Sequence, residues 1–221
     1  VKGIRTFDPA KALEAYAHEA MNKGPWGGAN GRAGWKEYWQ LGYVPYPESM
    51  GSTAQTLEYA YDDWCIAQVA KKLGKTNNAA MLEKASQNYK NLFDPETRLM
   101  RGRNADGTFQ TPFSPYKWGD AFTEGNAWHY TWSVFHDVEG LIDLMGERKG
   151  FTRMLDSVFV VPPVYDDSYY GFRIHEITEM QVADMGNYAH GNQPAQHMIY
   201  LYDYAGQPWK AQWLSLIHIS E

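Results

Sequence analysis

The chain has 221 residues, enough to bury a sizeable core as one domain or most of one, and its net charge of −6 without a lysine or arginine run excludes a face built for a nucleic-acid backbone. Its 9 tryptophans and 16 tyrosines form an aromatic load suited to stacking on flat ligands such as sugar rings. The single cysteine, Cys65, excludes a disulfide framework or a thiolate zinc site, and no apolar run approaches the roughly 18 residues of a membrane span.

Helical periodicity dominates the chain. Asp8 followed by Pro9 is an N-cap with proline at the first helical position, so a first helix is predicted from there to a stop at Gly24. The Gly/Trp/Tyr/Pro-rich stretch from Pro25 to Met50 is too long for a plain connector and is a candidate binding loop. A second helix, capped by Ser52 or Thr53, runs to Gly74 and is apolar nearly all round, with Leu57, Tyr59, Tyr61, Trp64, Ile66 and Val69, which reads as burial. It also carries Glu58, Asp62 and Asp63. Glu58 and Asp62 share a face and repel unless a cation, a base or a sugar hydroxyl lies between them; a salt bridge to an arginine of a neighbouring helix serves equally well.

A third helix covers about Asn77 to Phe93. The loop Asp94 to Phe122 contains "RGRNADGTF", whose D-G turn presents Arg101, Arg103 and Asn104. Asn126 to Met145 and Arg148 to Phe159 make the fourth and fifth helices, a polar loop spans Val160 to Gly191, and a sixth helix runs from Pro194 to Tyr204. Gln207-Pro208 opens a seventh. The last eight residues, "LSLIHISE" from Leu214, read as a translated sequencing adapter and are set aside, and Val1 begins without a methionine, so residues 1–213 are expected to be a piece of a larger domain. Few segments alternate with period two. The expected fold class is therefore all-α, a partial (α/α)6 toroid of helical hairpins with long rim loops, with an irregular helical bundle as the alternative.

Three stretches hold the candidate chemistry. In "FTEGNAWHYTW", Glu124 precedes Gly125 and Asn126 and then Trp128, His129, Tyr130 and Trp132. Thr123 or Asn126 caps a helix whose first turn carries Glu124, or the aromatic rings strip water from the carboxyl group and raise its pKa toward that of a general acid. In "RIHEITEM" the zinc-protease pattern fails, because Glu179 stands where a second histidine is needed; His175 and Glu176 then bind a polar ligand or lie solvated. In "NYAHGNQPAQHM", His190, Asn192 and Gln193 precede Pro194, and amide oxygens there suit Ca²⁺ or sugar hydroxyls, unless the asparagine merely caps the helix.

The blocks "LEYAYDDWCIAQVAKKLGK", "MRGRNADGTF", "EGNAWHYTWSVFHDVEGLIDLMG", "IHEITEM" and "YAHGNQPAQHMIYLYDYAGQPWK" together resemble glycoside hydrolase family 92, the exo-acting α-mannosidases, over nearly all of Val1 to Trp213. The resemblance implies an N-terminal β-sandwich followed by an (α/α)6 barrel, inversion at the anomeric carbon, and a Ca²⁺ against the 2- and 3-hydroxyls of a terminal mannose. It places Glu124 at the general acid. Asp62, Asp63, Arg101, Asn104, Asn126, Trp128, His175, Glu176 and His190 fall on the sugar pocket, and Asn192 and Gln193 fall near the calcium. The pair His175-Glu176 matches members that cut α-1,2 bonds, so α-1,2-linked mannose of N-glycans or mannans is the expected substrate. The family's general base lies in an acidic motif beyond the "AGQPWK" block, outside this chain, as does the sandwich, and the family's setting is periplasmic or secreted. Another toroidal carbohydrate-active enzyme and a non-catalytic glycan-binding module are the competing readings.

Overall fold

The computed structural model describes residues 6–21 and 31–217. Helix α1 (Pro9–Met21) is capped as its sequence predicts, with Asp8 Oδ1 accepting from the Ala10 and Lys11 N–H groups at 2.9 and 3.2 Å; its expected stop at Gly24 lies outside the described residues. Leu13 and Ala20 of α1 pack on Ile66, Ala67 and Ala70 of α3 (Ser52–Lys72). A short helix, α2 (Trp35–Leu41), sits inside the stretch expected to be a loop.

The start of α3 corrects one expectation. Neither Ser52 nor Thr53 caps it: the N-cap is Gly51, left-handed at φ 70°, and no side chain closes the helix end. Carbonyls from a distant loop take over, Asp120 O accepting from Gly51 N at 2.8 Å and Ala121 O from Thr53 N at 2.9 Å, so the first-turn donors are satisfied by tertiary structure. A side chain at residue 51 would meet Thr123 Oγ1, which is why glycine stands at this approach.

Helix α4 (Thr76–Ala85) returns along α3, and a 3₁₀ turn (Asn88–Leu92) leads into the hairpin β1 (Phe93–Asp94) and β2 (Leu99–Met100), paired Phe93 to Met100 and Asp94 to Leu99. The expected fourth helix is broken into α5 (Ala127–Tyr130) and α6 (Val138–Leu144). Long-range partners compete with helix bonds between them. Thr131 Oγ1 accepts from Met100 N at 2.9 Å, a ring nitrogen of His197 meets Trp132 O at 2.8 Å, and Asp137 caps afresh by accepting from Gly140 N at 3.1 Å.

Helix α7 (Glu147–Val158) closes a hairpin with α6 and buries Phe151, Leu155 and Val158. The polar loop after it holds an unforeseen helix, α8 (His175–Ala183), whose Ile177 and Met180 form a small core with Trp118 and Ala189. The expected sixth helix consists of two 3₁₀ turns, Gln193–Ala195 and Met198–Tyr200, followed by α9 (Leu201–Tyr204). Helix α10 (Pro208–Ile217) continues through Leu214, which is buried. The fold is all-α: hairpins α3–α4, α6–α7 and α9–α10 surround a core centred on Tyr89, Met100, Trp132, Leu141 and Phe151, and the long connections carry the polar residues.

Candidate active site

The segment from Gly119 to Asn126 is held in an unusual backbone path. Gly119, Asp120 and Glu124 all have left-handed φ values, 77°, 63° and 52°, and for the two non-glycines this costs about 1–2 kcal/mol each. Tethers fix the path. The Thr123 carbonyl accepts from the Tyr130 hydroxyl, the Glu124 carbonyl from Asn192 Nδ2, and the Gly125 carbonyl from Gly119 N at 2.9 Å. Below them, Asp120 Oδ2 accepts from Lys117 Nζ at 2.9 Å and from Tyr46 Oη and Gln110 Nε2 at 3.2 Å.

The Glu124 side chain is exposed, and the rings that follow it turn inward, with Trp132 and His129 fully buried and Trp128 and Tyr130 nearly so. This corrects the expectation that they wall in the carboxyl group: the left-handed residue reverses the chain, so Glu124 points out while α5 carries the aromatic side chains into the core. Nor does Glu124 share in capping. Asn126 caps α5, with Oδ1 accepting from Trp128 N at 3.0 Å, its N–H donating to His129 Nδ1 at 3.1 Å and Nδ2 donating to Asn187 Oδ1 at 3.0 Å. Fully buried and spent at both ends, Asn126 is a structural residue rather than a sugar contact. Burial also pushes His129 down to about 4; its Nε2–H faces the Asn187 carbonyl at 2.9 Å. Trp128 lies 6.3 Å from the Tyr116 ring, and its buried Nε1–H has no hydrogen-bond partner among the described residues.

The facing wall comes from α8 and the 188–193 loop. His175 is exposed and sits between two carboxylates, Nδ1 at 3.2 Å from Glu179 and Nε2 at 3.2 Å from Glu176. His190 Nδ1 meets the Tyr188 hydroxyl at 2.8 Å. Gly191 lies against the Glu179 carboxylate, so a Cβ there would meet it and the loop passes close to α8. Asn192 is 1% exposed, and its Oδ1 is buried with no hydrogen-bond partner among the described residues, whereas Gln193 beside it is exposed.

Two tyrosines carry the influence of the Glu124 charge. Burial first, and then the charges of Glu58 and Glu124, hold the Tyr130 phenol well above its ordinary value. The Tyr170 phenol is raised by burial first and also by the charges of Glu124 and Glu176. Glu124 thus acts on both phenols, and Glu58 is itself raised by burial and then by Asp62. Sequence reasoning gave no role to Tyr170 or Tyr188; two adjacent tyrosines in the polar stretch "DDSYYGF" were the available signal for the former.

Other predicted residues are not brought to this rim. Asp63 is fully buried in a network of its own, 2.7 Å from Arg32 Nη1 and 2.7 Å from the Tyr38 hydroxyl; burial pushes it up to about 6 while both partners pull the other way. The arginine expected opposite Glu58 and Asp62 comes from a loop rather than a neighbouring helix: Arg32 lies 3.8 Å from the exposed Asp62 and makes its close contact with Asp63 instead. Asp62 lines a cleft of about 860 Å³ between α1 and α3, with Tyr16, Arg32 and Cys65. Arg101 is committed to Asp94 at 3.0 Å, to the Gln110 carbonyl at 2.6 and 2.9 Å, and to the Phe113 ring. Asn104 closes the D-G turn, accepting from Gly107 N at 2.9 Å and donating Nδ2 to Thr108 Oγ1 at 3.0 Å. Arg101 is joined to the Glu124 loop through Gln110, whose Nε2 donates to Asp120.

Among the described residues, no group of three or more His, Cys, Asp or Glu side chains gathers to hold a metal. The donor that fits a hard cation is the orphaned amide oxygen Asn192 Oδ1, with the Gln193 amide next to it.

An all-α domain whose long loops present a fixed, exposed carboxylate beside a rim of tyrosines and amides belongs to the class of helical carbohydrate-active enzyme domains. Residues 1–217 match the glycosyl hydrolase family 92 catalytic domain, and the chain belongs to that family. It is similar to a family 92 inverting mannosidase of Bacteroides thetaiotaomicron VPI-5482, at 52% identity and a TM-score of 0.83 over 96% of this chain. A second α-mannosidase of that species, solved in complex with mannoimidazole, is 38% identical over 95% of the chain, with a TM-score of 0.79. An uncharacterised secreted glycosidase of Arthroderma benhamiae is 26% identical over 89% of the chain. The chain spans 29%, 26% and 26% of these three proteins' lengths.

Proposed function

We propose that the chain is part of the catalytic domain of an inverting, exo-acting α-mannosidase, with Glu124 as the general acid. The observation that carries this is a carboxylate left exposed, and unpaired among the described residues, on a loop whose backbone is tethered at three successive carbonyls, so the acid is aimed before substrate arrives. Glu124 gives its proton to the glycosidic oxygen as the bond to the anomeric carbon breaks, and a water attacks from the opposite face of the ring. In an inverting enzyme that water needs a second carboxylate about 6.5–9.5 Å from the acid. We assign that base, and the β-sandwich, to the parts of the parent protein outside this chain; related enzymes three to four times as long support the assignment.

His175 and Glu176, exposed and half-buried on the facing wall, suit contacts to the sugar on the leaving-group side, the basis of an α-1,2 preference. His190 is also exposed, with its ring against Tyr188. Asn192 Oδ1 and Gln193 would hold Ca²⁺, which when bound polarises the 2- and 3-hydroxyls of mannose and favours distortion of its ring. Terminal mannose of N-glycans or mannans is the substrate class. A periplasmic or secreted setting is in line with the secreted glycosidase it resembles, and no described helix is long and apolar enough to cross a membrane.

The test is Glu124→Gln in the protein that contains this chain. Turnover of mannosides with poor leaving groups should fall about 10²–10⁴-fold, with activated aryl mannosides losing much less. Equal loss on both substrates, or no loss, would remove Glu124 from the acid's role.

A further inference from the structure

A general acid works only if its carboxyl group meets the leaving oxygen at hydrogen-bond distance, and the side chain of residue 124 inherits its direction from its backbone. That backbone sits at φ 52°, a region an exposed glutamate would leave unless something held it. Of the three tethers on the loop, two are local: Tyr130 on the Thr123 carbonyl and Gly119 on the Gly125 carbonyl. On Glu124 itself, the carbonyl is held by Asn192 Nδ2, 68 positions away in sequence, and the Tyr170 phenol also meets the Glu124 backbone.

Asn192 is built to be immobile. Its N–H donates to Ala189 O at 3.0 Å, its carbonyl accepts from Ala195 N at 3.1 Å, and its side chain is buried. Gly191, one residue earlier, lies against Glu179 of α8, the helix that begins with His175 and Glu176. Because the Glu124 carbonyl can only accept, the amide nitrogen must face it, and the two ends of the Asn192 side chain have separate tasks.

We propose that Asn192 is a positioning residue for Glu124: its Nδ2 clamps the Glu124 carbonyl, keeps residue 124 in its left-handed conformation, and ties the direction of the acid to α8 and the loop Ala189 to Asn192. The inference rests on Glu124 being the acid. It differs from a ligand role for Asn192, which would use the opposite atom, Oδ1.

Asn192→Asp separates the two roles, because aspartate keeps an oxygen for a cation but puts an acceptor against the Glu124 carbonyl. The comparison is made in the protein that contains this chain, with Ca²⁺ present, on α-1,2-mannobiose and on dinitrophenyl α-mannoside. A displacement of the acid by about 1 Å predicts a kcat loss of about 10²-fold on mannobiose, a much smaller loss on the activated substrate, and little change in KM. Added to Glu124→Gln, Asn192→Asp should cost little more. Near wild-type kcat on mannobiose, equal losses on both substrates, or full additivity with Glu124→Gln would overturn the clamp. Should Asn192→Asp not fold, Tyr130→Phe removes the tether on the neighbouring carbonyl while keeping the ring, and the same substrate-dependent loss is expected in smaller degree; its absence would overturn the clamp equally. If Glu124→Gln itself shows no dependence on the leaving group, the underlying reading of Glu124 fails instead, and the two failures are told apart.

Discussion

Two carboxylates of this chain are fixed in opposite ways. Asp63 is held by its side chain, buried and gripped by Arg32 and Tyr38 at 2.7 Å each, and is closed to any ligand. Glu124 is held by its main chain, with partners on the carbonyls of residues 123, 124 and 125 and its carboxylate left open. A side-chain grip stabilises the fold and leaves the group nothing further to bind. A main-chain grip supplies direction while leaving the charged group free for chemistry.

The largest test of this contrast is Asp63→Ala. It leaves Arg32 and Tyr38 buried without their partner and should cost about 3–5 kcal/mol in denaturant unfolding. A loss below about 1 kcal/mol, the value of an exposed pair, would mean that Asp63 is not the structural carboxylate described here. A second test uses pH. His129 lies beside the Glu124 loop, and burial lowers it from 6.5 to about 4. Its folded pKa is below its unfolded value, so the unfolded chain binds the extra proton in this window, and the contribution of His129 to stability is present above about 6.5 and lost as pH falls toward 4. The linked loss is roughly 2–3 kcal/mol. In His129→Gln the slope of stability between those pH values should flatten; an unchanged slope would show that the ring is not held neutral.

The same contrast governs what could be read in the sequence. The Asp8-Pro9 cap, the D-G turn after Asn104 and the all-helical pattern were legible because their partners lie within a few residues. The Ser52/Thr53 cap and the unbroken fourth helix failed for the opposite reason. Their donors and acceptors are satisfied by Asp120, Ala121, Met100 and His197, which no local pattern reveals. At the site, the family resemblance, not any local pattern, assigned Glu124, the His175-Glu176 pair and the Asn192 loop to one pocket. The left-handed turn that exposes Glu124 and sends Trp128 to Trp132 inward is a property of tethers many residues distant. Asn126 was legible as a helix cap, whereas its place in the sugar pocket, like that of Arg101, came from the family resemblance; their partners here are Asn187, Asp94 and Gln110.

The smallest effect is also the most direct probe of the main-chain grip. Glycine adopts left-handed φ without the steric penalty that a Cβ brings, and the exposed Glu124 side chain makes no hydrogen bond or ion pair within the described part of the chain that its removal would break. Glu124→Gly should therefore raise stability by about 1 kcal/mol relative to Glu124→Ala, which keeps the Cβ and its strain. Both variants lack the carboxylate and should be equally inactive on α-1,2-mannobiose, so the difference in denaturation midpoint isolates the backbone. If glycine and alanine at 124 unfold together, residue 124 is not strained in the folded protein, and the tethers would be following the loop's own preference rather than imposing the conformation that aims the acid.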